Sequence, residues 1–319
     1  MNRRFRRASR AVARMLRVER VYDRGLRSAR VAAERRRDSR WQAVIGEFLR
    51  TGVSVSTSGA WGRPDSAGIP MVMCLWNRPD RLPHVLDMLA ALDAERPVRL
   101  LLWNNNSADA ARYAEAVRGA ATGSLVSVDL VQSPVNIGGL ARFVAARLLW
   151  NAGYRGPVVM LDDDQDVSSR FVTDLLADYE SRSVVSWWAF SQHGSYWARA
   201  EIAPGSPADH AGTGGTVYDC ELVSDDAFFA RLPRRFAFLE DQWMSFFAHA
   251  KGWRVVKART DISLVSEELN QYHALKPLKD VFYHFQRQVG PTYVVGSVRR
   301  SGWGDGRLRS GGAAPSRAS

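Results

Sequence analysis

Between residues 69 and 166, short apolar runs alternate with stretches whose apolar positions recur every three or four residues. Ile69–Leu75 gives way to Asn77-Arg78-Pro79 and a helical stretch from Asp80 to about Leu92. Pro97–Trp103 stops at Asn104-Asn105-Asn106-Ser107, and a helical pattern follows through about Arg118. Leu125–Val131 leads to Asn136-Ile137-Gly138-Gly139 and a helix to about Ala152. Pro157–Leu161 runs into Asp162-Asp163-Asp164-Gln165-Asp166, with a helix expected from near Arg170. The short runs predict strands and the periodic stretches helices. Their alternation predicts a parallel α/β sheet. Ligands of such sheets collect at the carboxyl ends of strands. Each run here ends in a polar cluster, so the spacing predicts several clusters converging on one site.

Beyond residue 190 the rhythm loosens. Ser191–Gly215, rich in Gly, Pro, Ser and His, reads as a long loop. Thr216–Val223 is strand-like, helices are expected from Ser224 and over Asp241–Ala250, and residues 276–288 read as a helix with Phe282, Phe285 and Val289 on one side. No internal repeat is apparent.

Composition narrows the class. The 319 residues are 46% hydrophobic and 24% charged, a globular balance that excludes a disordered or disulfide-stapled chain. No apolar run approaches the ~20 residues that span a bilayer. Cys74 and Cys220 stand far apart in no metal-binding spacing, which fits a reducing, cytoplasmic compartment.

The net charge of +11 belongs to one end. Residues 1–40 hold 15 arginines and no lysine against Glu19, Asp23, Glu34 and Asp38, while residues 41–319 hold 29 basic and 29 acidic side chains. In this arm Phe5, Ala8, Val12, Met15 or Leu16, Tyr22 and Leu26 recur at helical spacing opposite arginines. A basic amphipathic helix of that kind suits an anionic membrane surface, with the chain peripheral on the inner face of the membrane. A solvated helix packed on the body, a nucleic-acid-binding arm and a transit peptide are the competing readings. The division expected is an arm and linker over residues 1–60, a catalytic domain over 61–300 and a Gly/Ser/Arg-rich disordered tail over 301–319.

The acidic cluster is the strongest chemical signal. Four aspartates in five residues repel one another, and a shared cation relieves this. Mg²⁺ or Mn²⁺ held by one or two carboxylates, with substrate phosphates completing the shell, fits such a site. Asp166 or Ser168 capping the next helix accounts for one acid and not four.

Asp162-x-Asp164 resembles the DxD motif of GT-A glycosyltransferases, specifically the inverting family 2. Met71–Pro79 (MVMCLWNRP), Leu102–Ser107 (LWNNNS), Asn136–Phe143 (NIGGLARF), Phe238–Asp241 (FLED) and Tyr272-His273 with Phe282–Gln288 (FYHFQRQ) are similar to further motifs of that family, in its order. The likeness spans roughly residues 69–290. It implies a GT-A fold, that is, a Rossmann-like nucleotide-sugar-binding mixed sheet flanked by helices, here with the basic helical arm before it. It further implies metal ligands Asp162, Asp164 and His273, with His284 assigned to packing. Donor contacts would come from Asn77, Arg78, Asn104, Asn105, Asn106, Asn136, Gly138, Gly139 and Arg142. Asp163 is placed beside the donor. Many relatives carry an aspartate near Asn104 and Asn105, and this departure bears on the choice of a uridine (UDP-sugar) donor.

The resemblance makes Asp241 the general base, with Glu240 alongside it to bind acceptor or to raise the pKa of Asp241 by like-charge repulsion. First-turn acids on a helix are the competing reading of that pair. Trp187, Trp188, Tyr196, Trp197 and Trp243 are dense near the acceptor side. Trp197 and Trp243 are expected to face a sugar, and at least one of Trp187 and Trp188 to be core.

The function implied is metal-dependent, inverting transfer from a nucleotide-sugar to a saccharide or polyprenyl-linked acceptor, as in the synthesis of cell-envelope polysaccharides and glycoconjugates. A sugar nucleotidyltransferase, or a non-catalytic binder of nucleotide-sugar or nucleic acid, is the alternative. The absence of a Gly-rich phosphate cradle after the first strand counts against the former. The neutral body counts against nucleic acid.

Overall fold

The computed structural model describes residues 19–93, 95–120, 122–265, 275–295 and 306–310. Contacts divide the chain into two units, Met1–Val44 and Ile45–Ser319. The first contains most of helix α1 (Glu19–Thr51). Over residues 23–40 this helix is mainly exposed, with Leu26 half-buried and Val31 exposed. The expected stripe residues Phe5 to Leu16 lie outside the described residues. No described helix is long and apolar enough to cross a membrane.

In the second unit, Ile45, Phe48 and Leu49 on the last turns of α1 are buried, and Phe48 meets Trp103 edge-on at 5.6 Å. Strand β1 (Val53–Val55) follows, and then a loop that wraps a buried carboxylate. Gly59 N and Trp61 N donate to Asp129 at 2.8 and 2.7 Å. Ile45, Phe48, Leu49, Val53, Val55 and Trp61 are thus buried in this unit.

The alternating segment forms β2 (Ile69–Leu75), α2 (Leu82–Ala90), β3 (Val98–Asn104), α3 (Ala110–Arg118), β4 (Leu125–Gln132), α4 (Leu140–Asn151) and β5 (Pro157–Asp162). Every residue of β3 is buried, as expected of a parallel strand covered on both faces. Helix α4 is buried from Leu140 to Leu149, which is why its apolar periodicity is weak.

After the acidic turn come β6 (Gln165–Val167), α5 (Phe171–Ala177), β7 (Ser183–Ser186), β8 (Ala189–Gln192), β9 (Arg199–Ala200), β10 (His210–Ala211) and β11 (Thr216–Asp219). The chain continues through α6 (Ala227–Ala230), α7 (Glu240–Ala250), β12 (Arg254–Lys257), β13 (Ile262–Leu264), α8 (Lys276–Val289), α9 (Thr292–Val295) and β14 (Leu308–Ser310).

The central sheet has seven strands in the order β12-β7-β11-β5-β2-β3-β4. All its pairs are parallel except those of β11, which runs antiparallel to β5 and β7. With helices flanking it, this is the Rossmann-like mixed α/β fold that the motif resemblance implies, around the parallel strands that the alternation predicts. Two features depart from expectation. Ser191–Gly215 contains β9 and β10, which pair with β8 into a small antiparallel sheet. Leu308–Ser310, in the segment expected to be disordered, pairs in parallel with Val53–Val55. A strand so short leaves little periodicity to read.

Register sets the site. Leu75 pairs with Asn104, Asn104 with Gln132 and Cys74 with Asp162. The carboxyl ends of β2, β3, β4 and β5 therefore stand side by side, and their polar clusters meet.

Candidate active site

At the end of β5 each of the four aspartates has an arginine partner. Arg142, on the first turn of α4, donates to Asp162. Arg78 donates to Asp163 at 2.6 Å and stands 3.1 Å from Asp164. Arg81 donates to Asp166 at 2.6 Å, and His84 lies 3.0 Å from the same oxygen. Guanidinium groups thus supply the cation that the clustered acids call for. Asp166 caps nothing, since the residue before α5 is Arg170 and no side chain caps that helix.

The aspartates differ in setting. Asp163 is buried and accepts from Trp76 N at 3.3 Å as well as from Arg78. Burial pushes its carboxyl up to about 6 against the pull of Arg78. Asp162 and Asp164 keep side-chain exposures of 35% and 22%. Burial raises the Asp164 carboxyl, and the charge of Asp162 adds to this. Two partly open, mutually repelling carboxylates are hard oxygen donors suited to Mg²⁺ or Mn²⁺. Among the described residues no group of three or more His, Cys, Asp or Glu could hold a metal. His273 lies outside the described residues.

The expected donor-contact residues gather here, largely bonded to one another. Asn104 donates to Gln132 at 2.7 Å and accepts from Asn106 N at 2.8 Å. Asn105 donates to Gly138 O at 3.2 Å and accepts from Ile137 N at 3.1 Å. Both side chains are buried and tie the β3 and β4 loops together. Asn106 donates to Asn77 at 2.6 Å, drawing the β2 loop in. Asn77 takes φ 57°, a left-handed conformation that asparagine tolerates better than most residues. Exposed Asn136 accepts from Gly138 N at 2.8 Å. Gly138 has φ 59°, and a Cβ there would meet the Phe238 ring. Cys74 lies among these loops, and burial pushes its thiol up to about 12, leaving it inert.

The Glu240-Asp241 pair opens α7, and its two carboxylates enter different surroundings. Glu240 faces the strand ends. Its Oε1 is 3.5 Å from Arg142, and a Cβ on Gly139 would overlap its carboxylate. Asp241 faces the other way, 3.5 Å from His210 and 3.6 Å from Lys279, and accepts from Gln242 N at 2.7 Å. Lys279 also donates to the Tyr196 hydroxyl at 2.8 Å.

The pKa directions of the pair differ from the relation expected from sequence. Burial, reinforced by the Asp241 charge, pushes Glu240 up to about 7. Burial also acts to raise Asp241, but Lys279 and His210 outweigh it and hold that carboxyl well below the usual range. The like-charge repulsion falls on Glu240, because the cations stand beside Asp241.

His210, Lys279, Arg81, Thr213 and Gly214 escaped sequence reasoning. Arg142 donates to Thr213 at 2.9 Å, and a Cβ on Gly214 would collide with the Asp162 carboxylate. Only Lys279, a charge among the aromatics of 276–288, left a visible trace.

Two aromatic assignments change. Trp243 is fully buried, with Nε1 donating to Phe228 O at 2.7 Å, so it is core and cannot face a sugar. Trp197 and Trp188 are 45% and 38% exposed around Arg199, whose guanidinium lies 6.0 and 5.1 Å from their rings. Trp187 packs against the core, as one of the pair was expected to do. His284, assigned to packing, is exposed and lies 3.5 Å from Asp280.

No family model and no curated protein sequence matches the chain. It is similar to several solved structures. The S. aureus TarS 1–349 structure aligns over 60% of this chain and 58% of its own, at 16% identity and a TM-score of 0.41. Mannosyltransferase PcManGT from Pyrobaculum calidifontis, in complex with GDP-Man and Mn²⁺, aligns over 83% and 77%, at 13% identity and 0.47. The apo structure of WbbM, a bifunctional glycosyltransferase, aligns over 60% and 38%, at 13% identity and 0.36. The chain thus spans less than two thirds of the TarS and WbbM structures. Likeness at this level assigns no chemistry, which rests on the chain's own side chains.

Proposed function

We propose that this chain is a metal-dependent, inverting glycosyltransferase that moves a sugar from a nucleotide-sugar to a saccharide or lipid-linked acceptor. The observation that carries the reading is the meeting, at the ends of β2 to β5, of the two partly open carboxylates Asp162 and Asp164 with Arg78, Arg142 and Glu240. The motif resemblance supplies the reaction class.

Asp162 and Asp164 would hold a divalent ion, which would supply Lewis-acid stabilisation of the leaving diphosphate. Arg142 and Arg78 neutralise the carboxylates, and their charge also favours the incoming phosphates. Asn77, Asn106 and Asn136 line the donor side, while Asn104 and Asn105 shape it from beneath. The acceptor hydroxyl attacks the anomeric carbon, and its oxygen forms the new bond. The old bond to the diphosphate oxygen breaks, and its electron pair leaves with the nucleotide. Asp241, kept ionised by Lys279 and His210, takes the hydroxyl proton. Displacement from the face opposite the leaving group inverts the anomeric centre. Trp188 and Trp197 offer ring faces to the acceptor. Residues 1–40 bring the enzyme to an anionic membrane surface, and their deletion abolishes liposome binding while leaving transfer to a soluble acceptor intact.

The test is a thermal-shift screen of nucleotide-sugars, including UDP- and GDP-sugars, with Mn²⁺ and with chelator, on the wild type and Asp164→Ala. A ligand at about 100 times its Kd adds about 2.7 kcal/mol of stability. A metal-dependent shift with one nucleotide class, absent from the variant, is the expected result. A folded protein that no nucleotide stabilises would overturn the reading.

A further inference from the structure

A cavity of about 390 Å³ lies between α7 and α8 and includes none of the strand-end residues described above. Helix α7 contributes Gln242, Phe246 and His249, spaced four and three apart on one face, and α8 contributes Tyr283 and Gln286. His210 completes the wall towards the active site, its Nε2 3.5 Å from Asp241.

One observation marks this space as more than a gap in packing. Gln242 is 2% exposed, and neither atom of its side-chain amide has a hydrogen-bond partner. A buried amide so placed has lost its hydration with nothing in return. His210, 1% exposed, lines the same cavity with its Nε2 3.5 Å from Asp241.

The lining specifies the chemistry of its occupant. Three glutamines, Gln192, Gln242 and Gln286, each offer a donor and an acceptor, matching hydroxyl groups that do both. An anion would call for donors alone, and a cation for acceptors alone. The formal charges of Asp209 and Arg287 cancel. Phe246 and Tyr283 supply apolar ring faces of the kind that meet the C–H face of a sugar. The volume falls within the range of small-molecule sites.

We infer that the α7–α8 cavity is a second binding site, for a neutral saccharide, separate from the site of transfer. It stands independently of the donor reading, because its residues are neither metal-binding nor nucleotide-facing.

The experiment titrates the full-length protein, in EDTA and without nucleotide, with lactose, maltose, cellobiose and sucrose, using saturation-transfer NMR and calorimetry. At least one binds saturably to the wild type. Binding weakens about tenfold or more in Gln242→Met, which removes the amide at similar volume, and in Gln286→Trp, which fills the space. Both variants keep the wild-type unfolding temperature or exceed it, and both keep any metal-dependent nucleotide shift. No saturable binding by any of the four sugars would overturn the proposal. So would wild-type binding unchanged in both variants, and a Gln242→Met protein that gains stability without losing affinity would make that amide merely a packing defect.

Discussion

Arg142 on α4 binds Asp162 at the end of β5, and through that one pair the helix is fastened to the strand end where the acids cluster. The same guanidinium donates to Thr213 at 2.9 Å and lies 3.5 Å from Glu240. Burial opposes its charge, but Asp162 and the other anions around it outweigh that and hold it charged. Arg142→Met would leave these partners without their common cation. Asp162 is partly exposed and can rehydrate, so the expected loss is the cost of an unpaired polar group, about 1–3 kcal/mol. Urea denaturation reads this directly, and an unchanged midpoint would show that the pair contributes nothing to stability.

Gly139 leaves the space that Glu240 occupies. A methyl group there would overlap the Glu240 carboxylate and press on Arg142. Gly139→Ala is expected to displace Glu240 from the strand ends and to cost about 1–3 kcal/mol through overpacking. The double variant Gly139→Ala, Glu240→Ala should recover most of that loss, because the colliding group is gone. Failure to recover would point to the glycine's backbone rather than its missing side chain.

Glu240 also predicts a pH dependence. Its folded carboxyl titrates at about 7, above the ordinary value of 4.5. Between those two values the folded state holds a proton that the unfolded chain has released, so stability falls as pH rises through that window. Glu240→Gln removes the effect. The variant's unfolding temperature, relative to wild type, should therefore climb from pH 5 to about pH 7 and level off above that. A constant difference across that range would show that Glu240 is not perturbed. If transfer requires both acids ionised, kcat/KM falls below pH 7 on a limb that belongs to Glu240.

Much of this was legible before any coordinates. The runs at Ile69–Leu75, Leu125–Val131 and Pro157–Leu161 became β2, β4 and β5 within a residue, because buried parallel strands read as unbroken apolar stretches. Their polar ends converge as the alternation requires. Ser183–Ser186 and Arg254–Lys257 were invisible as sheet strands, being short and partly polar, with their burial supplied by neighbours distant in sequence. Sequence also marked Glu240-Asp241 as a pair but could not separate their environments. That depends on helix phase, which points Glu240 at Arg142 and Asp241 at Lys279 and His210. Trp243 looked like a sugar platform because composition does not distinguish an aromatic core from an aromatic surface. Its burial against Phe228 and Phe282 decided the matter.

Lys279 is the side chain on which the Asp241 assignment turns. Nearly inaccessible, it joins the Tyr196 hydroxyl at 2.8 Å to Asp241 at 3.6 Å, and it is the largest influence holding that carboxyl down. Because the folded pKa of Asp241 is depressed, its contribution to stability is present above the ordinary carboxyl range and is lost as pH falls towards the folded value. Lys279→Met removes that contribution and leaves Tyr196 without its donor, at an expected cost of about 1–3 kcal/mol near neutrality. The deficit should narrow at pH 3, below the ordinary aspartate value of about 3.9, as Asp241 begins to lose its advantage in the wild type too. Unfolding temperatures at the two pH values check this. Equal deficits at pH 3 and pH 7 would mean that Lys279 acts through Tyr196 and packing alone, and Asp241 would lose the cation that this account gives it.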